Sequence, residues 1–116
     1  MFIGSTTHEY GTFSGDVETC TYTYYTDEGR NLWCCEDWHD TLVRPCQVLC
    51  ELHAAVNAYR KFDNSMSDDS RMELVSIIVR MVGDELRSRP SATFDDVCGD
   101  FGVDDKLKAK LSWAFV

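Results

Sequence analysis

The segment EYGTFSGDVETCTYTYYTDEGRNLWCCE, residues 9–36, constrains the fold most, because much of it alternates threonine with tyrosine. Alternation of this kind has the period of a β-strand, whose successive side chains point to opposite faces of a sheet. Two turn signals, Ser14-Gly15-Asp16 and Asp27-Glu28-Gly29, divide the segment. The pattern therefore predicts a three-stranded antiparallel β-meander.

The second turn also predicts which residues pair. A tight turn at Glu28-Gly29 would pair Thr26 with Asn31, Tyr24 with Trp33 and Tyr22 with Cys35. Because side chains alternate between faces, one side of the sheet would be buried and the other would look outward. The predicted buried side holds Cys20, Tyr22, Tyr24, Trp33 and Cys35, and the predicted outer side holds Thr21, Thr23 and Tyr25.

From residue 37 onward the apolar residues have helical spacing. The sequence predicts a short helical turn over 38–43, a helix over 45–62, a central apolar helix from the N-cap Ser67 to just before Pro90, and two short helices capped by Thr93 and Asp104. The predicted fold class is α+β, a meander (1–36) packed against three to four helices (37–116) in a single domain, 1–116.

Cys46, Cys50 and His53 would share one face of the predicted helix, opposite its main apolar face. Three interpretations follow: a helix covered on both sides, a zinc site, or thiols that are exposed or face a partner. A rise of about 1.5 Å per residue separates positions 46 and 53 by about 10.5 Å, so only Cys46 with Cys50, or Cys50 with His53, could share a metal. Further ligands would have to come from Cys34, Cys35, His39 or elsewhere in the chain, and we expect no metal and no cofactor.

The composition predicts where the chain resides. No apolar run approaches the roughly 18 residues of a membrane span, and the N-terminus MFIGSTTHEY lacks the pattern of a signal peptide. We therefore expect a cytoplasmic protein, in the host cytoplasm if it is encoded by a phage. Its six cysteines are expected to stay reduced there.

Catalytic patterns are weak. Cys34 or Cys35 could be grouped with His39 and Asp40, but these residues are neighbours in sequence, whereas a nucleophile and its base usually converge from separate segments. No glycine-rich phosphate loop or nucleophile elbow is present in the sequence. We expect a protein that is not an enzyme.

Charge gives the strongest indication of function. The chain has 20 acidic and 11 basic residues, a net charge of −9 and a pI near 4.6. Residues 1–58 hold nine of the acids against Arg30 and Arg44, whereas residues 59–116 hold eleven acids against nine bases. Such a surface repels nucleic acids and membranes and attracts basic proteins, although it could also serve solubility alone.

In size and charge the chain resembles phage anti-defence proteins, including anti-CRISPRs and DNA mimics, and it also resembles toxin-immunity proteins. The resemblance implies an inhibitor that occupies the basic, nucleic-acid-binding surface of a partner, such as a nuclease, without binding nucleic acid itself. Carboxylates would stand in for phosphates, and an exposed aromatic ring would supply the anchor. The candidate partner-binding residues are Glu18, Tyr25, Asp27, Glu28, Glu36, Asp37, Trp38 and Asp40.

Residues 93–112 support an alternative. They resemble a helix-turn-helix, with FDDVC as the first helix and DDKLKAKL in the position of the recognition helix. Lys106, Lys108 and Lys110 would contact phosphates, although Asp104 and Asp105 open the same helix. The alternative function is a DNA-binding regulator.

Overall fold

The computed structural model describes residues 1–38 and 46–115, which form an α+β arrangement as predicted. Within the described residues the N-terminal sheet has four antiparallel strands rather than three, in the order β1-β2-β3-β4. The strands are β1 (Phe2–Gly11), β2 (Val17–Thr26), β3 (Leu32–Trp38) and β4 (Gln47–Leu49). The helices are α1 (Leu52–Phe62), α2 (Asp68–Ser88), α3 (Phe94–Asp100) and α4 (Asp105–Leu111), followed by a 3-10 turn over Ser112–Ala114.

Both long hairpins close with the same three-residue loop. In the first, the N–H of Thr12 donates to the carbonyl of Asp16, and Gly15 has a φ of 85°. In the second, the N–H of Asp27 donates to the carbonyl of Asn31, and Arg30 has a φ of 59°. The third loop residue therefore takes the left-handed conformation that completes this type of hairpin. The predicted two-residue turn at Glu28-Gly29 is wrong because Arg30 adds one residue to it.

This extra residue reverses which side chains of β3 lie on each face of the sheet. Thr26 pairs with Leu32, Tyr24 with Cys34 and Tyr25 with Trp33. A shift of one residue moves every side chain of a strand to the other face. Trp33 and Cys35 therefore lie on the face opposite Cys20, Tyr22 and Tyr24, and the prediction of a shared buried face is wrong for these two residues.

The prediction of a helix over the segment that contains Cys46 and Cys50 is also wrong. It is extended, with β4 pairing Leu49 opposite the buried Leu32, and α1 begins only at Leu52. Cys46 forms a disulfide with Cys35, so the prediction of reduced thiols is wrong for this pair. Strand pairing prevails over the helical pattern because it covers the edge of β3 and joins the two thiols. Trp38 ends β3 instead of opening a helical turn, and residues 39–43 of that predicted turn lie outside the described residues.

The last three helices, α2, α3 and α4, follow the local signals closely. The predicted central helix is α2, whose residues Leu74, Ile77, Ile78 and Val82 are buried. Its N-cap Ser67 accepts a hydrogen bond from the Ser70 N–H, as a capping side chain should. Thr93 and Asp104 cap α3 and α4 in the same way. These caps confirm three of the predicted helix starts.

In the described ranges, the helices cover only one end of the sheet. Ile3 and Leu32 join the helical core there, and the ring of Phe62 packs on Tyr24 with a centroid distance of 5.4 Å. The rest of the sheet extends beyond the helices, which gives the molecule extents of 54 × 28 × 24 Å. Its radius of gyration is 16.3 Å, against about 13 Å for a compact chain of this length. We name the extended part, residues 5–23 with residues 35–38, the sheet arm.

Candidate partner-binding surfaces

The sheet arm carries an aromatic cluster on the face that it shares with the helices. The register of the strands places His8, Tyr10, Tyr22 and Trp38 on this inner face. The ring centroids of Tyr10 and Trp38 are 5.3 Å apart, and those of His8 and Tyr22 are 5.8 Å apart. Tyr10 and Tyr22 also share a hydrogen bond of 3.3 Å between their hydroxyl groups. The cluster is therefore a contiguous patch of rings with polar tips.

Two properties of this inner face bear on its chemistry. The hydrogen bond with Tyr10, helped by burial, raises the pKa of Tyr22 well above its usual range, so this phenol stays neutral and can donate. Burial raises the pKa of the Cys34 thiol, which keeps it protonated and a poor nucleophile. The face is therefore suited to recognition through rings, hydroxyls and carboxylates.

The opposite, outer face holds a row of large side chains that crosses the whole sheet. Phe2, Tyr25, Trp33 and Val48 are successive cross-strand neighbours on β1, β2, β3 and β4. The rings of Tyr25 and Trp33 stack with an interplanar angle of 6°. Phe2 is 61% exposed and Val48 is 39% exposed, so the row is open to solvent. We name these four residues the outer row.

Asp27 has a structural role in the turn between β2 and β3. Its carboxylate accepts hydrogen bonds from the backbone N–H of Asn31 at 2.9 Å and from the indole N–H of Trp33 at 2.8 Å. These two bonds lower the pKa of Asp27, in that order of importance. The carboxylate is thus ionised and directed at its own turn, which also fixes the ring of Trp33 in the outer row.

The predicted partner-binding residues lie on two faces of the sheet. Glu18, Glu36 and Trp38 share the inner face, whereas Tyr25 and Asp37 lie on the outer face. Glu28 is exposed in the turn beside Asp27, and Asp40 is outside the described residues. The sheet therefore brings the predicted set together as two groups rather than one patch.

Sequence reasoning missed His8 and Tyr10 of the inner cluster and Phe2 and Val48 of the outer row. The meander was assigned to residues 1–36, but its strand pattern was followed only from residue 9, whereas β1 runs from Phe2 to Gly11. The Ser14-Gly15-Asp16 turn could have revealed this, because extending its pairing backward sets His8 opposite Cys20 and Tyr10 opposite Glu18. Val48 had no such signal, since β4 was predicted to be helical.

Charge is distributed unevenly between the two halves. Residues 1–38 contain a single Lys or Arg, Arg30, against seven acids: Glu9, Asp16, Glu18, Asp27, Glu28, Glu36 and Asp37. Five cations of the helical half are engaged with its own carboxylates instead. Lys106 lies 2.6 Å from Asp63, and Lys108 lies 2.7 Å from Asp95. Residues 1–38 therefore carry most of the net negative charge among the described residues.

The other predicted sites are placed as follows. Lys106 and Lys108 of the helix-turn-helix alternative are the ion-paired lysines just described, and α4 is seven residues long.

The structure separates the predicted metal-ligand candidates. Cys50 and His53 are exposed, but Cys46 is bonded to Cys35. In residues 1–38 and 46–115 no three His, Cys, Asp or Glu side chains are grouped to hold a metal ion. His39, a member of the Cys, His and Asp set, lies outside the described residues, as Asp40 does.

No helix within the described ranges is both long and apolar enough to cross a membrane. Comparison with protein-family models, with curated proteins and with solved structures found no match to this chain. Its function must therefore be inferred from its own surfaces.

Proposed function

We propose that this protein is a non-enzymatic interaction domain that binds a basic surface of a partner protein and inhibits it. The partner is a protein that handles nucleic acid, such as a nuclease, because such proteins present clustered Lys and Arg side chains to phosphates. Inhibition follows from occupancy of that surface. The cytoplasm of the cell, or of the host of a phage, is the proposed site of action.

The observation that carries the proposal is the charge of the sheet. Residues 1–38 contain seven acids and one arginine, Arg30. The Nε atom of Arg30 lies 3.8 Å from Glu73 of α2, so this arginine is directed to the helices. An excess of carboxylates over cations produces a negative potential that speeds the encounter with a basic protein and orients it. The sheet arm also extends beyond the helices, so in the part of the chain that the structure describes no helix covers either of its faces.

The inner aromatic cluster supports the proposal as the anchor of the interface. Trp and Tyr are over-represented among the residues that dominate binding energy, and their ring faces attract Arg and Lys. Trp38 and Tyr10 offer such faces beside Glu18, which is opposite Tyr10 in the register. A guanidinium group could therefore stack on a ring and pair with a carboxylate at the same position.

A toxin-immunity protein would use the same physical mechanism on a different partner. The helix-turn-helix alternative stays a prediction without structural support, because the carboxylates of Asp63 and Asp95 already engage two of its three lysines. Neutralising those carboxylates would be needed before the lysines could bind phosphates without competition.

The test compares two triple variants with the same net charge. The arm variant is Glu9→Lys, Glu18→Lys and Asp37→Lys, and the control variant is Glu51→Lys, Asp69→Lys and Asp105→Lys in the helical half. Each is immobilised beside the wild type, and proteins captured from a lysate of the native host are identified by mass spectrometry. We expect the wild type and the control to retain a basic nucleic-acid-binding protein that the arm variant loses.

The captured partner is then purified and its nuclease or nucleic-acid-binding activity is titrated with each variant at two salt concentrations. Inhibition by the wild type should weaken as salt rises, because exposed charges are screened. Equal inhibition by the arm variant and the wild type would reject the proposed surface. A mobility shift of duplex DNA by the protein alone would instead support the regulator.

A further inference from the structure

Within residues 1–38 and 46–115, the outer edge of β1 is the longest unpaired strand edge. β1 has ten residues and stands at the end of the strand order, with β2 as its neighbour on one side. The helices reach its beginning, where the Ser70 hydroxyl donates to the carbonyl of Phe2 at 2.6 Å. From Ser5 to Gly11 every residue except the half-buried Thr6 is exposed. About 20 Å of strand is therefore open to solvent on that side.

The hydrogen bonds of the first hairpin identify which backbone groups face outward. The N–H of Thr12 donates to the carbonyl of Asp16, the residue just before β2, so Thr12 is bonded toward the neighbouring strand. In an antiparallel pair, successive residues alternate between bonding toward the partner and pointing away. Tyr10, His8 and Thr6 therefore bond toward β2. The N–H and C=O groups of Ser5, Thr7, Glu9 and Gly11 point to solvent.

Soluble proteins usually protect such an edge. Lysine, proline, a bulge or a covering loop prevents the unpaired groups from accepting another strand. Ser5–Gly11 contains neither lysine nor proline, and the one irregularity of the β1–β2 register lies between Phe2 and Gly4. The strand also contains Thr6, Thr7 and Tyr10, whose residue types favour β-structure. This edge is thus open to the addition of a strand.

The charge around the edge of β1 determines which kind of strand can add to it. Glu9 lies on the outer face of β1, Glu18 is opposite Tyr10 on the inner face, and Asp16 closes the hairpin. A second copy would bring the same carboxylates alongside them, and its net charge of −9 would oppose association. An extended segment rich in Arg or Lys would instead be attracted on both faces, since its side chains alternate as those of β1 do.

We infer that the partner of the proposed function presents a basic extended segment that adds to β1 as a fifth strand along Ser5–Gly11. Backbone hydrogen bonds to Ser5, Thr7 and Glu9 would supply affinity, as in other strand-addition complexes. Cationic side chains would lie beside Glu9 on one face and beside His8 and Tyr10 on the other. This inference rests on the proposed function, because the charge of the same arm selects the segment.

The experiment uses the intact protein and a synthetic peptide in which arginine alternates with valine. Residue-resolved amide hydrogen exchange is measured by NMR with and without the peptide. We expect the outward N–H groups of Ser5, Thr7 and Glu9 to exchange about tenfold more slowly in the complex. The N–H groups of Thr6 and His8, which already bond to β2, should change little. Unaltered exchange at all three outward amides would overturn the inference.

A matched pair of variants tests the same point by affinity. Thr7→Pro removes an outward N–H donor without removing a backbone bond to β2, whereas Thr7→Val keeps that donor. Both substitutions remove the 3.0 Å hydrogen bond between the hydroxyl groups of Thr7 and Thr21, so they differ in the outward N–H. We expect the peptide to bind Thr7→Pro about fivefold to tenfold more weakly and Thr7→Val as it binds the wild type. Equal affinity for all three would overturn the inference, and circular dichroism verifies that each is folded.

The failure of the inference can be told apart from that of the proposed function. A peptide methylated on alternate backbone nitrogens keeps its charge but cannot form the edge hydrogen bonds. If it binds as tightly as the unmodified peptide and the arm variant binds neither, charge acts without strand addition, so the inference fails and the proposed function stands. If the arm variant binds the unmodified peptide like the wild type, both fail. Protection of the outward amides in a dimer of the free protein would also overturn the inference, since the edge would pair with itself.

Discussion

The ring of Phe62 lies directly on Gly4, so that a Cβ atom added to Gly4 would stand 2.6 Å from the Cγ and Cε1 atoms of the ring. Phe62 ends α1 and Gly4 belongs to β1. This contact therefore joins the helices to the sheet at the end where Ile3 and Leu32 enter the core. Close approach of a ring to backbone is what a glycine permits in a strand.

Gly4→Ala is expected to destabilise the protein. Because the added methyl group overlaps the ring, we expect the free energy of unfolding to fall by about 2 kcal/mol, as measured by urea denaturation. Gly11→Ala is the control, since a Cβ on Gly11 would meet nothing within 4 Å. Replacing Phe62 with leucine in the Gly4→Ala background should recover part of the loss. Strict additivity of the two substitutions would contradict the contact.

The left-handed residues of the two hairpins give opposite predictions. Arg30 has a side chain at a φ of 59°, which costs about 1 kcal/mol relative to glycine, so Arg30→Gly should raise the midpoint of thermal unfolding. Its ion pair with Glu73 offsets little of this, because the Arg30 side chain is 66% exposed. Gly15→Ala should lower the midpoint, since Gly15 has a φ of 85° in open space. A lower midpoint of thermal unfolding for Arg30→Gly would show that the contacts of the Arg30 side chain stabilise the protein by more than its left-handed backbone costs.

Asp63 should make stability depend on pH in the acid range. Lys106 and then Arg71 hydrogen-bond to this carboxylate, and these bonds lower the pKa of Asp63. Its folded pKa is thus below the unfolded value of about 3.9, so its contribution is complete above that value and disappears as the pH falls through the folded pKa.

Asp63→Asn should therefore lower the free energy of unfolding by about 2 kcal/mol at pH 7 and by much less near pH 2. Urea denaturation of both proteins at each pH measures the difference. Asp69→Asn serves as the control because Asp69 is exposed on α2. A difference that stays constant from pH 7 to pH 2 would argue against a charged role for Asp63.

The disulfide is expected to contribute to stability through the unfolded chain. Cys35 and Cys46 are 11 residues apart, and closing a loop of this size stabilises a protein by about 3 kcal/mol. Replacing both cysteines with serine should reduce the free energy of unfolding by that amount, whereas Cys50→Ser should change it little. Thiol titration of the denatured, unreduced protein should find the four free cysteines. Six reactive thiols would show that the bond is absent.

The helices could be predicted from the sequence because their signals are local. Ser67 and Thr93 cap α2 and α3 through side chains that reach only three residues ahead. Pro90 likewise marks the end of α2 by its own covalent geometry. Such features need no knowledge of the rest of the chain, and α2, α3 and α4 appear where they were expected.

The sheet could be predicted only in part, because its details depend on distant residues. The left-handed conformation of Arg30 has no signal in its side chain, and it changes the register of β3 by one residue. β4 exists because Leu49 and Cys46 meet Leu32 and Cys35 across the sheet. The contact between Tyr10 and Trp38 likewise depends on two strand pairings, that of β1 with β2 and that of β2 with β3. Local propensity specifies none of these pairings.

The length of the sheet arm affects how the protein moves through water. A body of 54 × 28 × 24 Å experiences more friction than a sphere of the same mass, so it diffuses more slowly and tumbles anisotropically. The monomer should leave a gel-filtration column ahead of a compact 13.3 kDa standard, at a position easily mistaken for that of a dimer. Molar mass from light scattering or sedimentation equilibrium, which does not depend on shape, is therefore the proper basis for counting chains in any complex.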